Sequence, residues 1–229
     1  MTARIRHRTP ATEAEAIAVQ RELRTQVRVD CSGPAPGAPG TAVAGVDVAY
    51  DDERDEVAAA AVVLDARTLA VIDEATAVGP VPFPYVPGLL AFRELPAVLA
   101  ALEKLSRTPD LVVCDGYGLA HPRRFGLASH LGVLTGLSAI GVAKNPFGFH
   151  HGPLGEERGA SAPLLDPESG EEVGAALRTQ ARVKPVYVSV GHRMTLAGAC
   201  AHTLHLARDY RQPETTRRAD RLCRQTLAR

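Results

Sequence analysis

Apolar and polar positions alternate and regroup along the chain in a way that predicts most of its elements. Over residues 12–28 apolar residues recur at helical spacing (Ala16, Ile17, Leu23, Val27), predicting a helix. Residues 32–40 (SGPAPGAPG) break that pattern with Gly and Pro and read as a loop. Three β-rich runs follow, TAVAGVDVAY, VAAAAVVLDA and TLAVIDEATAVG, the first two separated by the charged turn DDERDE. They predict an antiparallel meander. Residues 80–88 (PVPFPYVPG) hold too many prolines for a helix or an interior strand.

Beyond that loop the period changes. Leu89 to Leu105 reads as helix, DLVVCDG as a short buried strand, residues 123–137 as helix and SAIGVAK as strand. Residues 145–159 are punctuated by Gly and Pro and read as loop. GASAPLLD and EEVGAALRT flank PESG as a hairpin, PVYVSVG is a late strand, 195–209 a helix and 214–227 a basic helix. Three meander strands followed by alternating helix and strand predict one α/β sheet of mixed strand direction, within a single domain over residues 1–229.

Composition narrows the class. The chain has 229 residues with 45% hydrophobic and 23% charged, enough for a sizeable core. The formal net charge is zero, so no global field advertises a nucleic acid or a membrane, although a local basic patch stays open. Cys31, Cys114, Cys200 and Cys223 are far apart and form no C-x-x-C pair, as expected for reduced thiols. No apolar run approaches the ~18 residues of a membrane span, and the basic N-terminus lacks the apolar stretch of a secretory leader. The expected location is the cytoplasm.

The carboxylates carry the first chemical signal. Asp47 interrupts the apolar run Val43, Ala44, Val46, Val48, where an acid must face solvent, be paired or hold a cation. Asp115 ends the strand LVVC, between that strand and the pair Gly116 and Gly118. Strand ends in open α/β sheets gather sites, and glycines admit close approach of a ligand or another backbone. Glu94 lies on the helix after the proline loop. Taken singly, a strand-end Asp is an ordinary turn or cap residue and a helix Glu an ordinary solvated one. Together the three suggest a hard-cation site of oxygen ligands.

Six segments, in order, resemble the endonuclease V family of deoxyinosine 3′-endonucleases: VAGVDVAY, PYVPGLLAFRE, VVCDGYGLAHPRRFGLASHLG, IGVAK, VYVSVGHRM and YRQPETTRRAD. The resemblance covers about residues 12–225. It implies an RNase H-like mixed sheet flanked by helices. It also implies a Mg²⁺ site (Mn²⁺ as a substitute) formed by Asp47, Glu94, Asp115 and Asp220, with Lys144 beside the scissile phosphate. By the same resemblance Tyr85 is an aromatic wedge, and Gly88, Leu90, Gly116, His121 and Gly126 surround a base pocket or adjacent DNA. The implied partner is single- or double-stranded DNA containing deoxyinosine, and the expected assembly a monomer. Tyr117, the stretch NPFGFHHG and Ala197 depart from the pattern of some relatives and leave DNA against RNA open.

Other features have plainer readings. His121 sits beside Arg123 and Arg124, which favours the surface, with phosphate contact or acid–base work as the sharper alternative. His192, in the SVGHRM turn, reads as structural. The pairs His150-His151 and His202-x-x-His205 lack a third zinc ligand. The arginines between Arg208 and Arg224 read as a solvated helix or, with Asp220 among them, as a basic rim around the metal site. Two rival functions remain: an endoribonuclease acting on inosine in RNA, and a non-catalytic lesion-binding protein of the same fold.

Overall fold

The computed structural model of the chain describes residue 7 and residues 9–228. The basic N-terminal segment, residues 1–6 and 8, and residue 229 lie outside the described residues. The chain opens with α1 (Glu13–Arg24). Thr12 caps it by accepting from the Glu15 N–H, while Glu15 reaches back to the Ala11 N–H at 2.8 Å. The predicted meander follows as β1 (Ala42–Asp51), β2 (Glu56–Asp65) and β3 (Val71–Pro80). Then come α2 (Leu90–Glu103), β4 (Leu111–Cys114), α3 (Leu127–Thr135), β5 (Ser138–Ala143), β6 (His150–His151), β7 (Ser161–Leu165), β8 (Glu172–Leu177), β9 (Val186–His192), α4 (Leu196–Leu206) and α5 (Glu214–Leu227).

These strands form one nine-stranded sheet in the order β3-β2-β1-β4-β5-β9-β8-β7-β6. β1, β4 and β5 run parallel, and the other pairings are antiparallel. The single mixed α/β sheet flanked by helices expected from the sequence is therefore observed. One expectation is corrected. His150 and His151 fall in a stretch read as loop, yet pair with Leu165 and Leu164 as an edge strand too short to show a pattern. The predicted helices at 123–137 and 195–209 are also shorter than expected, because the first begins only after the turn at Phe125 and Gly126 and the second stops at Leu206.

β2 shows how the alternating pattern becomes layers. Val57, Ala59, Ala61 and Val63 pack with Leu95, Val98 and Leu102 of α2, while Ala60, Val62 and Leu64 pack with Ala219 and Cys223 of α5. Both faces are covered, which explains a nearly unbroken apolar run. α5 lies especially close to β1. A Cβ built on Gly45 would fall 2.2 Å from the Thr215 carbonyl carbon, so only glycine admits the helix there. α5 buries Thr215, Thr216, Ala219 and Cys223 and leaves its arginines outward. No helix among the described residues is long and apolar enough to cross a membrane.

Candidate active site

The parallel pairing of β1 and β4 brings the first two acids level. Val46 is opposite Cys114, so the next residues, Asp47 and Asp115, emerge side by side. α2 brings Glu94 to them from one face of the sheet, and α5 brings Asp220 from the other. Burial, reinforced by the Asp115 charge and by Asp220, pushes the Asp47 carboxyl up to about 7, against the opposing Val48 N–H bond and Lys144 charge. Glu94 is buried, and burial together with the charges of Asp47 and Asp115 raises it to about 8. Tyr50, from β1, holds Glu94 Oε1 with its hydroxyl at 3.2 Å. Asp220 accepts from Arg224 Nε at 2.9 Å.

Lys144 follows β5 directly, and its Nζ lies 2.5 Å from Asp115 Oδ2. Burial alone would lower the lysine, but the bond to Asp115 and the charges of Asp47 and Asp220 hold it above its ordinary value. Arg211 fixes the base of this lysine by donating to the Lys144 carbonyl at 2.8 Å and to the Pro185 and Lys184 carbonyls. Among the described residues no three or more His, Cys, Asp and Glu side chains are drawn together as a ready coordination set. The acids are near enough to repel one another, yet each bonds a different group. The donor set fits a hard divalent cation: it is all oxygen, and among the described residues Asp47 and Glu94 form no ion pair, while Lys144 and Arg224 each sit on one of the other two carboxylates.

Tyr85, Gly88, Leu90, Gly116, His121 and Gly126 line one cavity of about 280 Å³, which Asp115 and Lys144 also border. Tyr85 is 70% exposed at its rim, on the proline loop. The two glycines after Asp115 have different roles. Gly116 has φ +154°, and a Cβ there would meet Leu127 at an ordinary 3.7 Å, whereas a Cβ on Gly118 would strike the Val190 carbonyl at 2.0 Å.

His121 corrects the surface expectation. It is buried, its Nδ1 accepts from the Arg123 N–H at 3.1 Å, and its Nε2 donates to the Gly88 carbonyl at 2.9 Å. Burial, helped by Arg123, lowers it to about 4, so it is a neutral ring with both nitrogens occupied. His202 and His205 give their Nε2 atoms to the Pro34 and Ala66 carbonyls, not to a metal. His192 Nδ1 accepts from the Arg28 N–H, in keeping with its structural reading.

Five side chains have roles that the sequence reading missed. The Tyr117 and Phe147 rings lie tilted against each other, 4.9 Å between centres, and form an aromatic wall of the cavity. Gln20, from α1, bonds the Gly88 carbonyl and the Arg123 guanidinium beneath it. Tyr50 and Arg211 act on Glu94 and Lys144 through contacts 44 and 67 residues apart. Tyr50, Tyr117 and Arg211 stand within VAGVDVAY, VVCDGYGLAHPRRFGLASHLG and YRQPETTRRAD, and Phe147 within NPFGFHHG, but nothing local shows their partners; Gln20 lies outside all of these segments.

The endonuclease V family model matches residues 21–221. The chain belongs to the endonuclease V family. Endonuclease V of Streptomyces avermitilis is 68% identical over 226 residues, covering 99% of this chain and 97% of that protein. The crystal structure of Endonuclease V from that organism superposes with a TM-score of 0.93, covering 100% of this chain and 98% of the other. Endonuclease V of Ciona intestinalis, solved in complex with a 24mer DNA containing an inosine followed by a ribo-adenosine, is 27% identical with a TM-score of 0.78, covering 94% and 97%. As a member of the endonuclease V family, the protein is a nuclease, a hydrolase acting on phosphodiester bonds.

Proposed function

We propose that this member of the endonuclease V family is a Mg²⁺-dependent DNA repair enzyme that recognises deoxyinosine and hydrolyses the second phosphodiester bond 3′ to it. The observation that carries this reading is the placement of Asp115 and Lys144 on the border of an apolar, aromatic-walled cavity, with Asp47, Glu94 and Asp220 gathered behind them. The complex of the Ciona relative with inosine-containing DNA supports the choice of lesion.

In this reading Tyr85 enters the base stack as the lesion leaves it. Its flanking prolines restrict the backbone, which lowers the ordering cost of the wedge. Flipping costs least at a weakened pair, and the aromatic wall of Tyr117 and Phe147 receives the base. Asp47, Asp115, Glu94 and Asp220 would hold the Mg²⁺. Bound there, the ion would polarise a phosphoryl oxygen and acidify a water. The Lys144 ammonium faces the charge that develops on the phosphate. The water oxygen bonds phosphorus, the bond from phosphorus to O3′ breaks, and O3′ leaves with a proton. The products are a 3′-hydroxyl and a 5′-phosphate.

The test is cleavage of end-labelled single- and double-stranded oligonucleotides carrying one deoxyinosine, with Mg²⁺, Mn²⁺ or EDTA. Metal-dependent nicking by the wild type at the second bond 3′ of the lesion, absent in Asp47→Ala, is expected. Cleavage only of a matched strand with ribose around the cut would move the reading to RNA. Lesion binding without cleavage under any metal would leave a binding protein.

A further inference from the structure

Two cavities meet at Asp115 and Lys144. The base pocket lies on one side. On the other is a cleft of about 600 Å³ whose walls include Tyr210, Gln212, Arg217, Arg218 and Arg221. The two differ in chemistry: the first is walled by aromatic rings, the second by the outward face of α5. Arg217 and Arg218 share the single carboxylate of Glu214, at 2.6 and 2.9 Å, which leaves these three side chains with one net positive charge; Glu74 and Asp220 also border the cleft. Arg221 is exposed and has no ionic partner among the described residues. The Arg217 guanidinium lies 3.4 Å from the centre of the Tyr210 ring, and Tyr210 is 52% exposed. Past Tyr210 the cleft continues into a smaller space bordered by Arg208 and Arg218.

We infer that this cleft carries the strand on the 3′ side of the cut, with its phosphates on Arg218 and Arg221 and a base stacked on Tyr210. The inference rests on the proposed function. If the flipped base fills the aromatic pocket and the scissile phosphate lies at Asp115 and Lys144, the strand continues from that pair into the arginine-lined cleft. Arg217 behind the ring holds it in place by a cation–π contact. Stacking tolerates any base, because every base has a π-face. The cleft therefore adds affinity without adding sequence choice, which suits an enzyme that must find one lesion in any context. It also gives a chain of zero net charge a local phosphate track.

The experiment measures kcat/KM on single-stranded deoxyinosine oligonucleotides with a fixed 5′ arm and a 3′ arm extending either one or about eight nucleotides past the cut. Wild type, Tyr210→Phe, Tyr210→Ala and Arg221→Gln are compared, with thermal melts to confirm folding. Wild type is expected to favour the long arm on the order of ten-fold, mainly through KM. Tyr210→Phe keeps that preference, and Tyr210→Ala and Arg221→Gln lose most of it. Arg221→Gln also lowers the salt-dependence slope by about 0.7, as expected for one lost single-strand phosphate contact. Full arm preference in Tyr210→Ala and Arg221→Gln, or an equal loss on both arms, overturns the inference while the proposed function stands. A wild type that cuts no deoxyinosine strand of either length overturns both.

Discussion

The Lys144 ammonium is 2.5 Å from Asp115 Oδ2, so this lysine and one of the central acids are joined before any substrate arrives. The pairing makes two separable demands. In the proposed mechanism Asp115 binds the metal and Lys144 meets the phosphate. Asp115→Ala should lose metal-dependent cleavage outright, while Lys144→Met should keep metal binding and lose about 10²–10³-fold in kcat, the scale of removing one preorganised donor. Mg²⁺ titration by calorimetry beside single-turnover cleavage separates the two. Wild-type kcat in Lys144→Met would remove the lysine from the mechanism.

Tyr85 supports a second prediction because it is so exposed. At 70% exposure it contributes little to the core, and its truncation should leave the melting temperature unchanged. Tyr85→Ala should weaken binding to deoxyinosine DNA about five- to a hundred-fold, the range for one base–aromatic stack, and leave Mg²⁺ affinity intact. Anisotropy titrations with lesion and undamaged strands make the measurement. Equal lesion affinity in wild type and variant would exclude the wedge.

What could be read in the sequence follows from where each signal arises. Asp47 stands out because a charge inside an apolar strand needs a reason, and Asp115 because a strand ending on an acid before two glycines has few plain explanations. Both signals are local. The class of sheet was also legible, since periods of two and 3.6 alternate along the chain. The roles of Tyr50, Gln20 and Arg211 were not, because each bonds a group far away in sequence; Tyr50 and Arg211 stand within motifs, yet nothing local names their partners. His121 misled for the same reason: two arginines follow closely, but its burial depends on the Gly88 carbonyl, 33 residues earlier.

The crowding of acids has a stability consequence. Asp47 titrates at about 7 in the fold against an ordinary 3.8, so the fold favours its protonated form. A carboxyl raised in this way contributes stability below its unfolded value and loses it as pH rises through about 7. Without metal, the protein should therefore weaken between pH 4 and 8 at this site. Asp47→Asn should raise the metal-free melting temperature by several degrees at pH 8, and less at pH 5, while removing cleavage. Added Mg²⁺ should stabilise the wild type and fail to stabilise the variant. Melting curves with EDTA and with Mg²⁺ at both pH values provide the check, and a variant less stable than wild type at pH 8 in EDTA would contradict the account.

A histidine pair, His130 buried and His7 half-buried, acts on stability from the other direction. His130 lies on α3 against Phe92 and Phe125, with ring centres 5.1 Å apart in each case, and its Nδ1 has no hydrogen-bond partner. His7 stacks 5.5 Å from it. Burial lowers His130 to about 3, with His7 adding to the effect, and burial lowers His7 to about 4. The unfolded chain protonates both near 6.5, so between that pH and the folded values it binds more protons than the native state. Stability is then complete above 6.5 and falls as the pH drops, by up to about 1.4 kcal/mol per pH unit for each histidine. His130→Phe keeps the ring packing and removes one of these protons. Urea unfolding midpoints between pH 4 and 7 should slope less steeply in the variant than in the wild type. Parallel slopes would mean that some other group governs the acid limb, since His130 would then be gaining no proton on unfolding.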